Sequence, residues 1–386
     1  MELGRKTVII ASFREAMART TWHLLTTRSQ VFLCNRPECL HEDETCTSWL
    51  PYGGGGGALL TAGNHLFYLS FGNTTPGVAQ RLGEDALPQM IEMDLNGANH
   101  IVRQKLNAFE QVRQGIAYDD SAIYFVCDSY ENGVNGDLRT RSLYRYDIQS
   151  KNLEKRKELS PSEQIVGVNG RSLILNISDG AQDITEDAGG IETKIVSYDV
   201  DTQEEGVLLS HPFTTLGRVY NGYYYMYNLS GSTLLKQQLT PNAPLETIRK
   251  GVFDEELEDC LGEVKTIFDN HWYITYEIPQ NEEKTMYAIE MYAVDLDSGK
   301  PTPIELKLKF LDRKGVGKQV EIVDELDDYF LVIESVADQE VTLPDSDPPV
   351  TLPHLYFQYA LIEKSDYYNS TPNYVPIEGI SLKGNA

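Results

Sequence analysis

The chain has 386 residues, with 33 Lys and Arg against 58 Asp and Glu and a formal net charge of −25. That balance argues against nucleic acid and an anionic membrane surface as partners, because both are held by clustered Lys and Arg. A hydrophobic fraction of 41% allows a sizeable core, yet one core stops growing near ~250–300 residues, so the chain requires two domains or one repeat architecture.

Residues 1–29 differ in kind from the rest. Arg5, Lys6, Arg14, Arg19 and Arg28 face only Glu2 and Glu15, and no Tyr occurs before Tyr52 although the chain holds 23. The apolar run Val8–Phe13 is shorter than the ~7–15 residues of a signal-peptide core, and no stretch reaches the ~18 apolar residues of a membrane span. As written, the chain shows no export signal and no transmembrane segment. Thr21–Thr26 and Gln30–Leu33 read as two strands of an incomplete blade, whereas Met1–Arg19 does not read as strands.

Cys34, Cys39, His41 and Cys46 follow within 13 residues. Three thiols and an imidazole meet the ligand count of a Cys₃His zinc site, in which four protein ligands leave no open position and the metal is structural. The spacing departs from paired C-x2-C, and a disulfide between two of the three thiols is the alternative. Gly53–Gly57 lacks the Gly-Lys-Ser/Thr ending of a phosphate loop and reads as a flexible entry into the first full repeat.

From residue 64 onward the chain repeats itself. Apolar-aromatic segments recur around Tyr68, Phe125, Ile174, Tyr225, Ile274 and Leu331, each following a turn. Downstream of most of them an alternating strand runs into an Asp-centred turn, at Asp94, Asp147, Asp199 and Asp295, the pattern of a hairpin. Further strands are expected at Leu153–Leu159, Glu204–Leu209 and Thr302–Leu308, with short leading strands at Gln114–Tyr118, Gln164–Val168 and Leu216–Tyr220. Four antiparallel strands in about 50 residues, repeated about six times, predict an all-β propeller spanning residues 30–386 as one repeat domain. Closure with His354–Glu363 and Tyr374–Glu378 in the last repeat predicts seven blades, one incomplete, over six with an N-terminal extension.

The run from Val31 to His41 (VFLCNRPECLH), followed by Cys46 and by repeats ending in Tyr-Asp turns, resembles a segment near the start of uncharacterised Tyr-rich β-propeller proteins of Gram-positive gut bacteria, which are commonly predicted lipoproteins. The resemblance covers the chain from about residue 30 and departs from the family in residues 1–29, where a lipoprotein signal would stand. It implies a propeller outside the cytoplasm, at the cell surface, with no assigned reaction.

Catalytic motifs are missing: there is no G-x-S-x-G elbow and no H-E-x-x-H. Cys127 reads as a small buried hydrophobe, and Cys260, after an acidic stretch, as a poor nucleophile. The acidic loops Asp128–Asp137 and Asp179–Glu192 keep no calcium-loop register and read as solvated turns. His65 and His271 fall at equivalent repeat positions, which points to blade packing. These features predict a monomeric, non-catalytic binding or scaffolding propeller whose ligand is a protein, peptide or glycan, with the Pro-rich segment Val341–Pro353 (Asp345, Asp347) as a contact loop. The alternative is a propeller enzyme acting on glycans or another small substrate with carboxylates grouped at the channel mouth.

Overall fold

Alternating apolar and polar residues bounded by Asp, Asn and Gly turns give this chain strands almost throughout. The computed structural model describes residues 7–14, 17–24, 29–34, 36, 38–39, 46–51, 56–74, 77, 79–80, 83–113, 115–119, 121–131, 136–179, 192–212, 215–228, 231–253, 261–281, 287–310, 318–343 and 350–378.

The first sheet contains β1 (Thr7–Arg14), β2 (Met17–Leu24), β3 (Ser29–Phe32) and β4 (Trp49–Pro51). β1 pairs antiparallel with the whole of β2, while β3 and β4 share β2's other edge, one at each end. The sheet is therefore three strands wide, and the segment between β3 and β4 carries Cys34, Cys39 and Cys46. This corrects the expectation that Met1–Arg19 holds no strands. Thr7, Val8, Ile9 and Ile10 are β-branched strand formers, and they pair with β2 although they lack the aromatic core and Asp turn of the later repeats.

Six blades follow. Blade 1 is β5 (Gly57–Ala62), β6 (His65–Ser70), β7 (Gln89–Asp94) and β8 (Ile101–Lys105). Blade 2 has a divided first row, β9 (Glu110–Val112) and β10 (Ala117–Tyr118), then β11 (Ala122–Tyr130), β12 (Leu138–Asp147) and β13 (Asn152–Leu159). Blade 3 is β14 (Glu163–Asn169), β15 (Ser172–Asp179), β16 (Glu192–Asp199) and β17 (Glu205–Pro212). Blade 4 is β18 (Thr215–Tyr220), β19 (Tyr223–Asn228), β20 (Thr233–Gln238) and β21 (Leu245–Arg249). Blade 5 is β22 (Leu261–Phe268), β23 (His271–Pro279), β24 (Tyr287–Asp295) and β25 (Pro301–Ile304). Blade 6 is β26 (Lys309–Phe310), β27 (Glu321–Glu325), β28 (Tyr329–Leu343), β29 (Val350–Glu363) and β30 (Val375–Pro376), with the short helix α1 (Lys364–Tyr368) between its last two strands.

Within the blades neighbouring strands are antiparallel, apart from the two-residue β26, which runs parallel to β28. The first strands lie side by side around the ring: β1 against β5, β10 against β14, β14 against β18 and β18 against β22. The molecule is an all-β propeller of four-stranded antiparallel blades, as the repeat spacing predicts. The six matched residues Tyr68, Phe125, Ile174, Tyr225, Ile274 and Leu331 all sit on second strands and are all buried. Burying both faces of each blade is what radial packing accomplishes. Leu33 and Leu50 of the first sheet pack with Leu66, Tyr68, Ile91 and Met93 of blade 1. Apolar clusters fill each later seam through to blades 5 and 6.

Blade 6 extends beyond the others. β28 and β29 stay paired out to Leu343 opposite Val350, whereas β26 and β27 pair with β28 only as far as Val336 and β30 pairs with β29 only at Ala360 and Leu361. The sequence-predicted contact segment Val341–Pro353 falls at the end of this two-stranded ribbon, and Asp345 and Asp347 lie outside the described residues.

Candidate functional site

Two places in the fold gather chemistry-bearing side chains. One is a cavity of about 830 Å³ between blades 5 and 6, on the inner side of the ring. Its walls come from β22, β23 and β24 on one side and from Lys318–Ile322 on the other, with Arg218 of β18 at the edge. Val264, Met291, Val320 and Ile322 give it an apolar floor, and the buried rings of Tyr273 and Tyr367 lie against it. The Tyr367 hydroxyl donates to the Val320 carbonyl at 3.2 Å and that of Tyr273 to the Tyr368 hydroxyl at 3.3 Å, so both rings are fixed.

Charges of both signs face this groove. Lys265 is ion-paired with Glu263. Arg218 donates to two backbone carbonyls, those of Gly217 at 2.9 Å and Val264 at 3.5 Å. Among the described residues Arg218, Lys318, Glu277 and Glu321 form no ion pair with protein. Groups on exposed strand positions can keep their hydration, so such an arrangement is sustainable until a ligand displaces that water. The inner strands meet here from segments about one hundred residues apart, and no local spacing in the sequence marks them.

Behind the groove, blades 5 and 6 are latched. Lys364 at the start of α1 reaches Asp269 Oδ1 and Glu325 Oε1, both at 2.9 Å. Burial works to lower the Lys364 ammonium's pKa, but the two carboxylates outweigh it and hold the pKa above the usual lysine value. The Tyr368 hydroxyl donates to Asp269 Oδ2 at 2.9 Å, and its ring lies 4.4 Å from that of His271, centroid to centroid. His65 stands at the start of β6 as His271 does at the start of β23, with its Nδ1 3.4 Å from Glu92. Burial alone would raise the Glu92 carboxyl, but Arg103 and Lys151 (the latter from blade 2) hold it low. His271 thus stands at a blade seam, while His65 meets Glu92 of its own blade.

The second place is the thiol cluster between β3 and β4. The sulfurs of Cys34, Cys39 and Cys46 all lie within 4.8 Å of one another, and none of the three is in a disulfide. Cys46 is buried; its sulfur lies 3.0 Å from Ser48 Oγ and accepts the Ser48 backbone N–H at 3.4 Å. Burial pushes the Cys46 thiol up to about 11. At Cys34 burial acts the same way, but hydrogen bonds from Thr47, the Arg36 backbone, Cys46 and Cys39 outweigh it and bring that thiol to about 7. His41, the fourth ligand that the sequence nominates, lies outside the described residues, as does Cys260. His100, on the β7–β8 turn of blade 1, hydrogen-bonds to the backbone at Gly97 and Thr47, beside the cluster.

Other candidates are absorbed by the fold. Cys127 is buried in β11, and burial raises its thiol far above the reactive range. Asp128, the first residue of one acidic loop, is a buried β11 side chain gripped by Arg141 at 2.7 Å and Arg113 at 3.3 Å. Most of the loop from Asp179 to Glu192 lies outside the described residues.

No protein-family model matches the chain, and no curated protein matches its sequence. Solved propeller structures do match its fold. A prolyl endopeptidase aligns at a TM-score of 0.52 and 11% identity, over 94% of this chain and 54% of that one. An acylaminoacyl peptidase aligns at 0.50 and 10%, over 94% and 58%. The β-propeller domain of the Trilobed protease from Pyrococcus furiosus aligns at 0.48 and 10%, over 93% of both chains. The chain spans little more than half the length of the first two, and at these identities the likeness is one of fold.

Proposed function

We propose that this protein is a non-catalytic binding propeller acting outside the cytoplasm, and that the groove between blades 5 and 6 seats a peptide segment of a partner protein. The carrying observation is that Arg218 and Lys318, together with Glu277 and Glu321, face one apolar-floored groove without ion-pair partners among the described residues. A polypeptide offers both cationic and anionic side chains to such a lining, whereas neutral and acidic glycans offer no cation to meet the two glutamates. The location outside the cytoplasm rests on the family resemblance. The thiol cluster lies apart from this groove and suits a structural metal better than chemistry on a ligand.

The test is fluorescence anisotropy of labelled mixed-charge peptides and of an oligosaccharide panel, against the wild-type chain and Arg218→Ala/Glu321→Ala. Peptide binding that weakens at least tenfold in the variant, with thermal unfolding unchanged, is the expected result. Binding of oligosaccharides alone, or peptide binding indifferent to the variant, would overturn it.

A further inference from the structure

We propose that Cys34, Cys39 and Cys46 bind one zinc ion as thiolates, and that this ion clasps the first sheet to blade 1. The inference is independent of what the groove binds.

Three thiol sulfurs within 4.8 Å of one another is one more than a disulfide uses. Tetrahedral zinc at about 2.3 Å from each sulfur places thiolate pairs about 3.8 Å apart, so small side-chain adjustments fill three of its four positions and leave the fourth to a water. The surroundings suit anionic sulfur. The Ser48 backbone N–H and hydroxyl converge on Cys46 Sγ, and the Arg36 backbone bonds Cys34. Outer hydrogen bonds of this kind orient and stabilise metal-bound thiolates. On binding, each thiol loses its proton to solvent and three sulfur–zinc bonds form, with no oxidant or reductant involved.

The location explains what such an ion accomplishes. β3 and β4 occupy two ends of one edge of β2, so the chain leaves the sheet after Phe32 and returns at Trp49. Leu33 and Leu50, at the two ends of that excursion, are both buried against Leu66, Tyr68, Ile91 and Met93 of blade 1. The backbone of Leu33 also lies so close to Gly97, on the blade 1 turn, that a Cβ added there would stand 2.3 Å from the Leu33 carbonyl oxygen. Crosslinking residues 34, 39 and 46 therefore fixes both β half-strands and the apolar anchor between sheet and blade.

The experiment uses the full chain, purified without added metal and with any affinity tag removed. Elemental analysis by mass spectrometry is expected to give one zinc per chain, falling at least fivefold in Cys34→Ser, Cys39→Ser and Cys46→Ser. Because those variants can fail to fold, the wild-type protein is also loaded with cobalt(II), whose expected signature is thiolate-to-cobalt charge transfer with intense tetrahedral ligand-field bands. A chain without zinc that shows no thiolate–cobalt spectrum overturns the proposal. So does an intact mass two hydrogens light with a disulfide mapped among the three cysteines.

Discussion

At the scale of single residues, the closeness of the inner strands to their neighbours makes certain side chains intolerable. Gly217 in β18 lies beneath the hydroxyl of Tyr224, and a Cβ built at Gly217 would stand 1.9 Å from that oxygen. Tyr224 is buried and stacked on His211 with ring centroids 5.8 Å apart, so it has little room to retreat. Gly217→Ala should therefore cost about 1–3 kcal/mol or more, as overpacking does, in denaturant unfolding followed by tyrosine fluorescence. Gly206, with open space around it, is the control, and Gly206→Ala should stay within about 0.5 kcal/mol of wild type. Equal losses from the two substitutions would show that strand glycines matter here through backbone freedom and not through close approach. Gly217 has no left-handed backbone angle to advertise it, and its importance is visible only once Tyr224 is seen above it.

At the scale of the element, the recurring hairpins are fastened by their aspartates. Asp147 accepts the Ser150 backbone N–H at 2.8 Å, Asp199 that of Thr202 at 2.8 Å and Asp295 that of Ser298 at 2.7 Å. Four residues after each aspartate the backbone turns left-handed, at Lys151, Gln203 and Gly299, so one turn geometry serves three blades. The Ser150 backbone N–H, seconded by the Ser150 hydroxyl and Arg145, holds the Asp147 carboxyl below its ordinary value. A carboxylate whose folded pKa is depressed adds stability above its unfolded pKa of about 3.9, and this is lost as pH falls through the lower folded value. The destabilisation caused by Asp147→Asn should be full at pH 7 and shrink below about pH 4, in urea titrations at a series of pH values. A difference that is constant down to the acid transition would mean that the charge plays no part. These turns, and the apolar-aromatic second strands, were legible because each is a short pattern repeated at near-constant spacing. β1 was not, since its β-branched residues carry neither signature. The thiol cluster was legible for the opposite reason: its sulfurs converge within one short segment. The groove residues Arg218, Glu277 and Lys318 belong to three separate strands or loops, and only the ring brings them together.

At the scale of the whole molecule, no strand is shared between the first sheet and blade 6 among the described residues. Among the described residues the first sheet uses only residues 7–51 and blade 6 only residues 309–376. Blade 6 is held to blade 5 by side chains, and the Lys364 latch is the best-defined part of that contact. Asp269 and Glu325 remain about a third exposed, so Lys364→Met should cost about 1–3 kcal/mol, less than the ~3–5 kcal/mol of breaking a fully buried pair. Hydrogen exchange should show the loss locally, with faster exchange in β27 and β28 and little change in β11 and β12 of blade 2. Uniform acceleration across all blades would argue that the propeller unfolds as one unit. The acidic total of the chain is also unevenly placed. Residues 1–29 hold Arg5, Lys6, Arg14, Arg19 and Arg28 against only Glu2 and Glu15, so the acidic excess belongs to the remainder of the chain.

The ribbon of β28 and β29 bears on how the chain meets a protease. Its seven residue pairs beyond Val336 reach about 23 Å at ~3.3 Å per residue, and a two-stranded ribbon has little stability of its own. Cleavage should begin there. Because the two strands remain neighbours inside blade 6, the nicked chain would run as two pieces on a denaturing gel while eluting as one particle from a sizing column.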